Sequence, residues 1–202
     1  MRSLFIVPIF ILLTVSAHAQ QTSSSKCELQ QLAIDAALGN IDAQFDLGVE
    51  FFRGVNVPRD YSKAATMWQL ASTAGRIEAT NNLGFLRYYG RVGVKQDKAE
   101  GIRLWRLAAE QGFPESQVHL GEAYADESYL IQDLLEAYAW AKAGKHHAQQ
   151  TKSAGTDKLG TADGVVKMAE KLLADVRKRL SEMQLADAEK KAAEYIVKYS
   201  PR

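Results

Sequence analysis

Apolar positions recur along this chain at two periods, one of about four residues and one of about 36. Ala43, Leu47 and Phe51 stand at i, i+4 and i+8, the stripe of an amphipathic helix. Related segments begin at Ala79 (ATNNLGFLRYYG) and Ser116 (SQVHLGEAYADE). Leu-Gly recurs at Leu47-Gly48, Leu83-Gly84 and Leu120-Gly121, spaced 36 and 37. Gly39, Gly75 and Gly112 keep the same spacings, Trp68 and Trp105 share one phase, and Trp140 lies near it. Markers that hold one period define a repeat.

Each unit reads as two helices. Gly54 and Gly90 end the first helix, where glycine takes a left-handed cap without strain. Asp60 is an N-cap candidate for the second, which carries Ala64, Met67, Trp68 and Ala71 to Gly75. The glycine of Leu-Gly sits inside a helix at a cost of about 1 kcal/mol relative to alanine. Its recurrence predicts close approach by a neighbouring helix. A capping box at Ser25 and Glu28 opens a lone helix before the repeats. Another at Ser181 and Gln184 opens a final helix, Glu182 to Tyr199, that packs Leu185, Ala188, Ala192 and Tyr195 onto the array. The expected architecture is all-α: an αα-hairpin solenoid of about three repeats with a C-terminal helical cap. Its divisions are an export signal (1–19), an N-terminal capping helix (20–42), repeats at 43–78, 79–115 and 116–144, a flexible loop (145–163) and a helical pair (164–202). The loop is assigned because 145–163 shows no apolar period.

Composition narrows the function. Arg2, the apolar run Leu4 to Val15 and Ala17-His18-Ala19 have the form of a cleaved export signal, so the mature chain is expected to begin at Gln20 in the periplasm or outside the cell. The apolar run is short of the about 20 residues that span a bilayer, and no stable anchor is expected after cleavage. With Arg2 removed from the 25 basic residues, 24 face 24 acids, a balance unlike the basic field that nucleic acid demands. One cysteine, Cys27, excludes an internal disulfide, so the core must hold the fold; Cys27 is read as buried in the first helix or as a thiol open to intermolecular pairing.

The pattern A-x-x-x-L-G-x-x-[FY]-x-x-G … D-x-x-x-A … W-x-x-A-A-x-x-G resembles the Sel-one-like repeat, a branch of the tetratricopeptide superfamily. The resemblance covers Ile41 to Gly144, two good units and a degenerate third. Glu136 to Trp140 and the tail Leu180 to Tyr195 are similar to the ends of exported bacterial members. The chain departs from the pattern at Arg87, Gly101, Ala125, Asp126 and Gly144. The resemblance implies a concave face lined by the first helix of each unit. Its candidate partner-binding residues are Phe45, Val49, Phe52, Asn81, Phe85, Tyr88, Val118 and Glu122, with Asp42, Glu78, Glu115 and Ala125 beside them. That surface is apolar and aromatic in the middle and acidic along one side, suited to an extended segment or helix with apolar anchors and some positive charge. The competing reading makes Phe45, Phe52 and Phe85 core residues, and has the C-terminal helices fold over the groove.

Catalytic chemistry is thin. There is no nucleophile elbow, phosphate loop or His-Glu-x-x-His zinc motif, and no catalytic residue, metal or cofactor is assigned. Glu115, His119 and Glu122 share one helix face and offer donor types that zinc accepts, but a solvated face is the preferred reading. His146-His147 reads as soluble loop, and Arg177-Lys178-Arg179, interleaved with acids, as a solvated helix face. The expected function is a non-enzymatic protein-interaction scaffold of the cell envelope with envelope or secreted protein partners. The alternative is an inhibitor or immunity-type protein. A hydrolase reading, implied by some cysteine-rich relatives, fails on the single cysteine and the lack of Ser-x-x-Lys in the repeats.

Overall fold

The computed structural model describes residues 26–127, 132–157 and 160–201. The export signal and Ser25 lie outside the described residues. Nine helices are described: α1 (26–37), α2 (Ile41–Arg53), α3 (Tyr61–Thr73), α4 (Ile77–Tyr89), α5 (Lys98–Glu110), α6 (Pro114–Ala125), α7 (Leu134–Ser153), α8 (Ala162–Arg179) and α9 (Glu182–Lys198). Asparagine or aspartate side chains start four of them: Asn40, Asp60, Asp97 and Asp133 each accept a hydrogen bond from a backbone N–H of the first turn. Ser181 and Gln184 form the expected capping box of α9. The helices pair as α2–α3, α4–α5 and α6–α7, with α3 packed on α4 and α5 on α6.

The glycine of each Leu-Gly pair has the packing role its recurrence predicts. A Cβ on Gly48 would lie 2.5 Å from the Trp68 indole, and one on Gly84 2.7 Å from that of Trp105. Each indole N–H donates across its hairpin at 3.2 Å, Trp68 to the carbonyl of Phe45 and Trp105 to that of Asn81. Gly101 has a similar cause, since a Cβ there would meet the Tyr88 backbone nitrogen at 2.7 Å.

The third hairpin is built differently. A Cβ on Gly121 would meet the Ala137 carbonyl at 2.9 Å, so main chain crosses main chain. Trp140 turns instead to α9, where its ring lies 4.6 Å from that of Tyr195 and 4.9 Å from that of Tyr199. Its buried indole N–H has no partner among the described residues.

The flexible loop expected at 145–163 is corrected: α7 continues through Ser153. Ala143, Gly144, His147 and Ala148 are buried at helical spacing. This face is made of small residues and one histidine, so it carries no large apolar signal. His147, expected in soluble loop, is fully buried: its Nδ1 lies 2.8 Å from Gln117 Oε1 and its Nε2 2.9 Å from the Ile196 carbonyl. Helix α7 thereby holds α6, α8 and α9 together. Cys27 is exposed on α1, which corrects its reading as a buried residue.

Two outcomes follow. Gly48→Ala should destabilise the chain by about 1–3 kcal/mol despite the better helix propensity of alanine, because the ring of Trp68 must move; urea unfolding followed by tryptophan fluorescence measures it. Truncation after Leu180 should leave near-native helical content per residue while exposing apolar surface around Trp140 to dye binding. Unchanged dye binding would show that α9 is dispensable to the core.

Candidate functional site

The first helices of the hairpins present a groove of about 550 Å³. Phe45, Val49 and Phe52 from α2, Asn81, Asn82 and Phe85 from α4, and Glu115 and His119 from α6 line it, with Asp46 and Arg53 at its edge. Its floor is an aromatic chain: Phe52 lies 6.2 Å from Phe85, and Phe85 lies 6.3 Å from His119. These are edge or tilted contacts of the kind aromatic rings prefer. The side chains follow from the helical period, because i, i+4 and i+7 on α2 put Phe45, Val49 and Phe52 on one side.

The eight predicted residues divide. Phe45, Val49, Phe52, Asn81 and Phe85 share the groove. Phe45 is also core, packed with Trp68 and Leu83. Asn81 is 2% exposed, with Oδ1 accepting from the Ser116 hydroxyl at 2.8 Å. Tyr88 and Glu122 fall into a neighbouring pocket of about 320 Å³ between α4, α6 and α8. There the Tyr88 ring packs on Trp105 and its hydroxyl donates to Asp126 at 2.9 Å. Val118 is corrected: it is fully buried with Ala148, Ala162, Val165 and Ala169, because α8 lies across that end of α6. The competing reading, in which the C-terminal helices fold over the groove, thus holds at the third repeat, and Thr161 at the start of α8 also reaches the groove wall.

His119 joins the groove to this pocket and corrects the solvated-face reading. It is 5% exposed and stacks on Trp105 with ring centres 4.7 Å apart. Burial alone would disfavour its charge. Against that, Glu122 lies 3.1 Å from Nδ1 and Glu115 3.8 Å from Nε2, and the two carboxylates raise its pKa to about 9. The site therefore holds a buried imidazolium between two acids at neutral pH. Tyr89, Asp175 and Arg179 complete the second pocket and went unpredicted. Tyr89 follows Tyr88 and has no repeat marker of its own, and the α8 residues reach the site only through tertiary packing. Among the described residues no group of three His, Cys, Asp or Glu side chains is placed to hold a metal ion, and no helix is long and apolar enough to cross a membrane.

The pKa of His119 sets a pH dependence. The stabilisation it gives is fully present below its unfolded value near 6.5 and is lost as pH rises through about 9. The melting temperature should fall over that window in wild type and fall less in His119→Gln. Parallel curves for the two proteins would contradict the charged assignment.

The Sel1 repeat model matches residues 41–75, 77–113 and 114–144, just over half of the chain. An uncharacterized Sel1-like repeat-containing protein of Schizosaccharomyces pombe is 34% identical over 79 residues, 39% of this chain and 12% of its own. Among solved structures, a Sel1 repeat protein from Oxalobacter formigenes is 26% identical with a TM-score of 0.50, over 73% of this chain and 98% of its own. Protein c5321, a protective antigen of uropathogenic Escherichia coli with an SLR fold, matches at 22% identity and a TM-score of 0.50, covering 85% of this chain and 41% of its own. The chain thus spans about one-eighth of the curated relative and under half of the c5321 chain. Three hairpins in tandem, the first two tied by tryptophan over glycine, and a family model that matches half the sequence place the chain in the Sel1 repeat family.

Proposed function

We propose that this chain is a non-enzymatic, exported protein-binding module of the cell envelope that takes a partner segment in the groove of α2, α4 and α6. Sel1 repeat proteins are generally protein-interaction scaffolds, and the groove supplies a place for that role here. One observation carries the reading: Val49, Phe52, Asn82 and Phe85 remain half-buried on a shared face of the groove, above the buried cluster of Phe45, Trp68 and Leu83. Aromatic side chains left part-exposed in a concavity are the residues on which binding energy concentrates. The acids and bases around the floor give no nucleophile paired with a base, which favours recognition over turnover.

Affinity capture from envelope extract should recover partners with the wild-type chain and lose them with Val49→Asp/Asn82→Arg, while far-ultraviolet circular dichroism stays the same. Equal recovery by both proteins would remove the groove from the function. For export, fractionation of cells expressing the full chain should yield a periplasmic or secreted form whose first residue is Gln20. A cytoplasmic form that keeps Met1 would overturn that part of the reading.

A further inference from the structure

We infer that the groove and the pocket beside it act together on one class of partner: an extended polypeptide segment with a large apolar side chain and, three or four residues away, a lysine or arginine. The inference rests on the groove reading above and adds the partner's chemistry.

The second pocket differs from the groove in its charge. Tyr88, Tyr89 and Trp105 form its aromatic side, and Glu122, Asp126 and Asp175 bring three carboxylates to it. Its cations are already engaged: Arg179 lies 2.7 Å from Glu127 and 3.6 Å from Asp175, and His119 lies between Glu115 and Glu122. Tyr89 is 42% exposed, so part of this residue faces solvent beside the carboxylates. Rings beside carboxylates recruit cations, and the chain's own cations show the preference. Arg91 sits 5.2 Å from the Phe85 ring centre and 5.7 Å from that of Tyr89, and Lys98 sits 5.3 Å from that of Tyr88 and 3.3 Å from Asp126.

The titrating groups of the pocket agree with a negative local potential. Burial raises the pKa of both Tyr88 and Tyr89, and Asp126 and Glu122 raise them further. His119 is pushed up to about 9 against its burial. Neutral and cationic groups alike are shifted as nearby carboxylates shift them.

Geometry bounds the spacing. From Phe52 the floor steps 6.2 Å to Phe85 and 6.3 Å to His119, which lines both cavities. The two steps together span at most about 12.5 Å, so at about 3.3 Å per extended residue a segment laid from Phe52 to His119 needs no more than about four residues, and a lysine or arginine side chain there is long enough to reach past His119. Val49, Phe52 and Phe85 take the first; Tyr89, Glu122 and Asp175 take the second. A partner with acidic residues at that spacing meets the carboxylates and is rejected.

The test uses the full chain and fluorescein-labelled synthetic peptides in a glycine–serine frame, read by fluorescence polarisation. One peptide carries phenylalanine and, four residues on, arginine; a second has glutamate for the arginine; a third has serine for the phenylalanine. The first should bind at least about tenfold more tightly than either other. Asp175→Asn, at an exposed position, should shrink the preference for arginine over glutamate, and Glu122→Gln/Asp175→Asn should abolish it. Equal binding of the arginine and glutamate peptides, both lost in Val49→Asp, would leave the groove reading standing and overturn the cation selection. Binding of none of the three overturns the inference, and the envelope capture then judges the groove separately.

Discussion

The distance between the two helices of the first two hairpins is set by an indole lying on a glycine. A β-carbon on Gly48 or Gly84 would overlap Trp68 or Trp105, so each indole settles against bare backbone and donates its N–H to a carbonyl of the facing helix. That contact gains buried aromatic area and satisfies a polar group that burial would otherwise leave at a cost of about 1–3 kcal/mol. It also orients the first helix of each pair, because the accepting residues, Phe45 and Asn81, line the groove. Core and binding surface therefore share their anchor points.

Where the contact is missing, the array ends. Tryptophan follows the N-cap aspartate of the second helix by eight residues in the first two units, Asp60 to Trp68 and Asp97 to Trp105, and by seven in the third, Asp133 to Trp140. Each residue turns a helix by about 100°, so Trp140 points away from Gly121 and Ala137 and Ala141 take the crossing. The displaced indole becomes the seat for Tyr195 of α9 and Tyr199 at its C-terminal cap. Polar contacts hold that helix in place: Glu136 accepts from Lys191 at 2.9 Å and from the Tyr195 hydroxyl at 2.9 Å, and Glu189 receives the Tyr138 hydroxyl and the Lys142 ammonium. A solenoid needs an end that does not recruit further repeats, and the shifted tryptophan provides one. On the other side of α7, α8 covers Val118 and narrows the concave face to two repeats and a pocket.

The groove has an electrostatic boundary in addition to an apolar floor. His119 is the hinge of that arrangement: it stacks on Trp105, one of the two anchoring indoles, and neutralises part of the charge of Glu115 and Glu122. Its imidazolium lets two carboxylates stand at the edge of an aromatic cleft without mutual repulsion, since each has a cation within 4 Å. Asp46, at the opposite edge, has its pKa raised by burial, with Arg76 opposing and Asp42 and Glu50 adding to the rise. Acids thus flank a floor whose phenylalanine rings are uncharged and whose imidazole end carries a positive charge.

The repeat, its helix pairs, their caps and the close approach at Leu-Gly are local matters of period, turn chemistry and missing β-carbons, and all were legible in the sequence. So were Val49, Phe52 and Phe85, because a position on a repeat's first helix dictates which way it faces. Val118 and Tyr88 occupy equally regular positions, yet tertiary packing took both out of the open groove: α8 covers one and Trp105 and Asp126 engage the other. The helix through residues 145–153 escaped notice because its buried face is glycine, alanine and histidine, residues that announce no apolar period. His119 and the α8 carboxylate of Asp175 show the same limit. Spacing along the chain assigns a residue to a face, but which helix lies against that face, and what charge it brings, is decided only when distant segments meet.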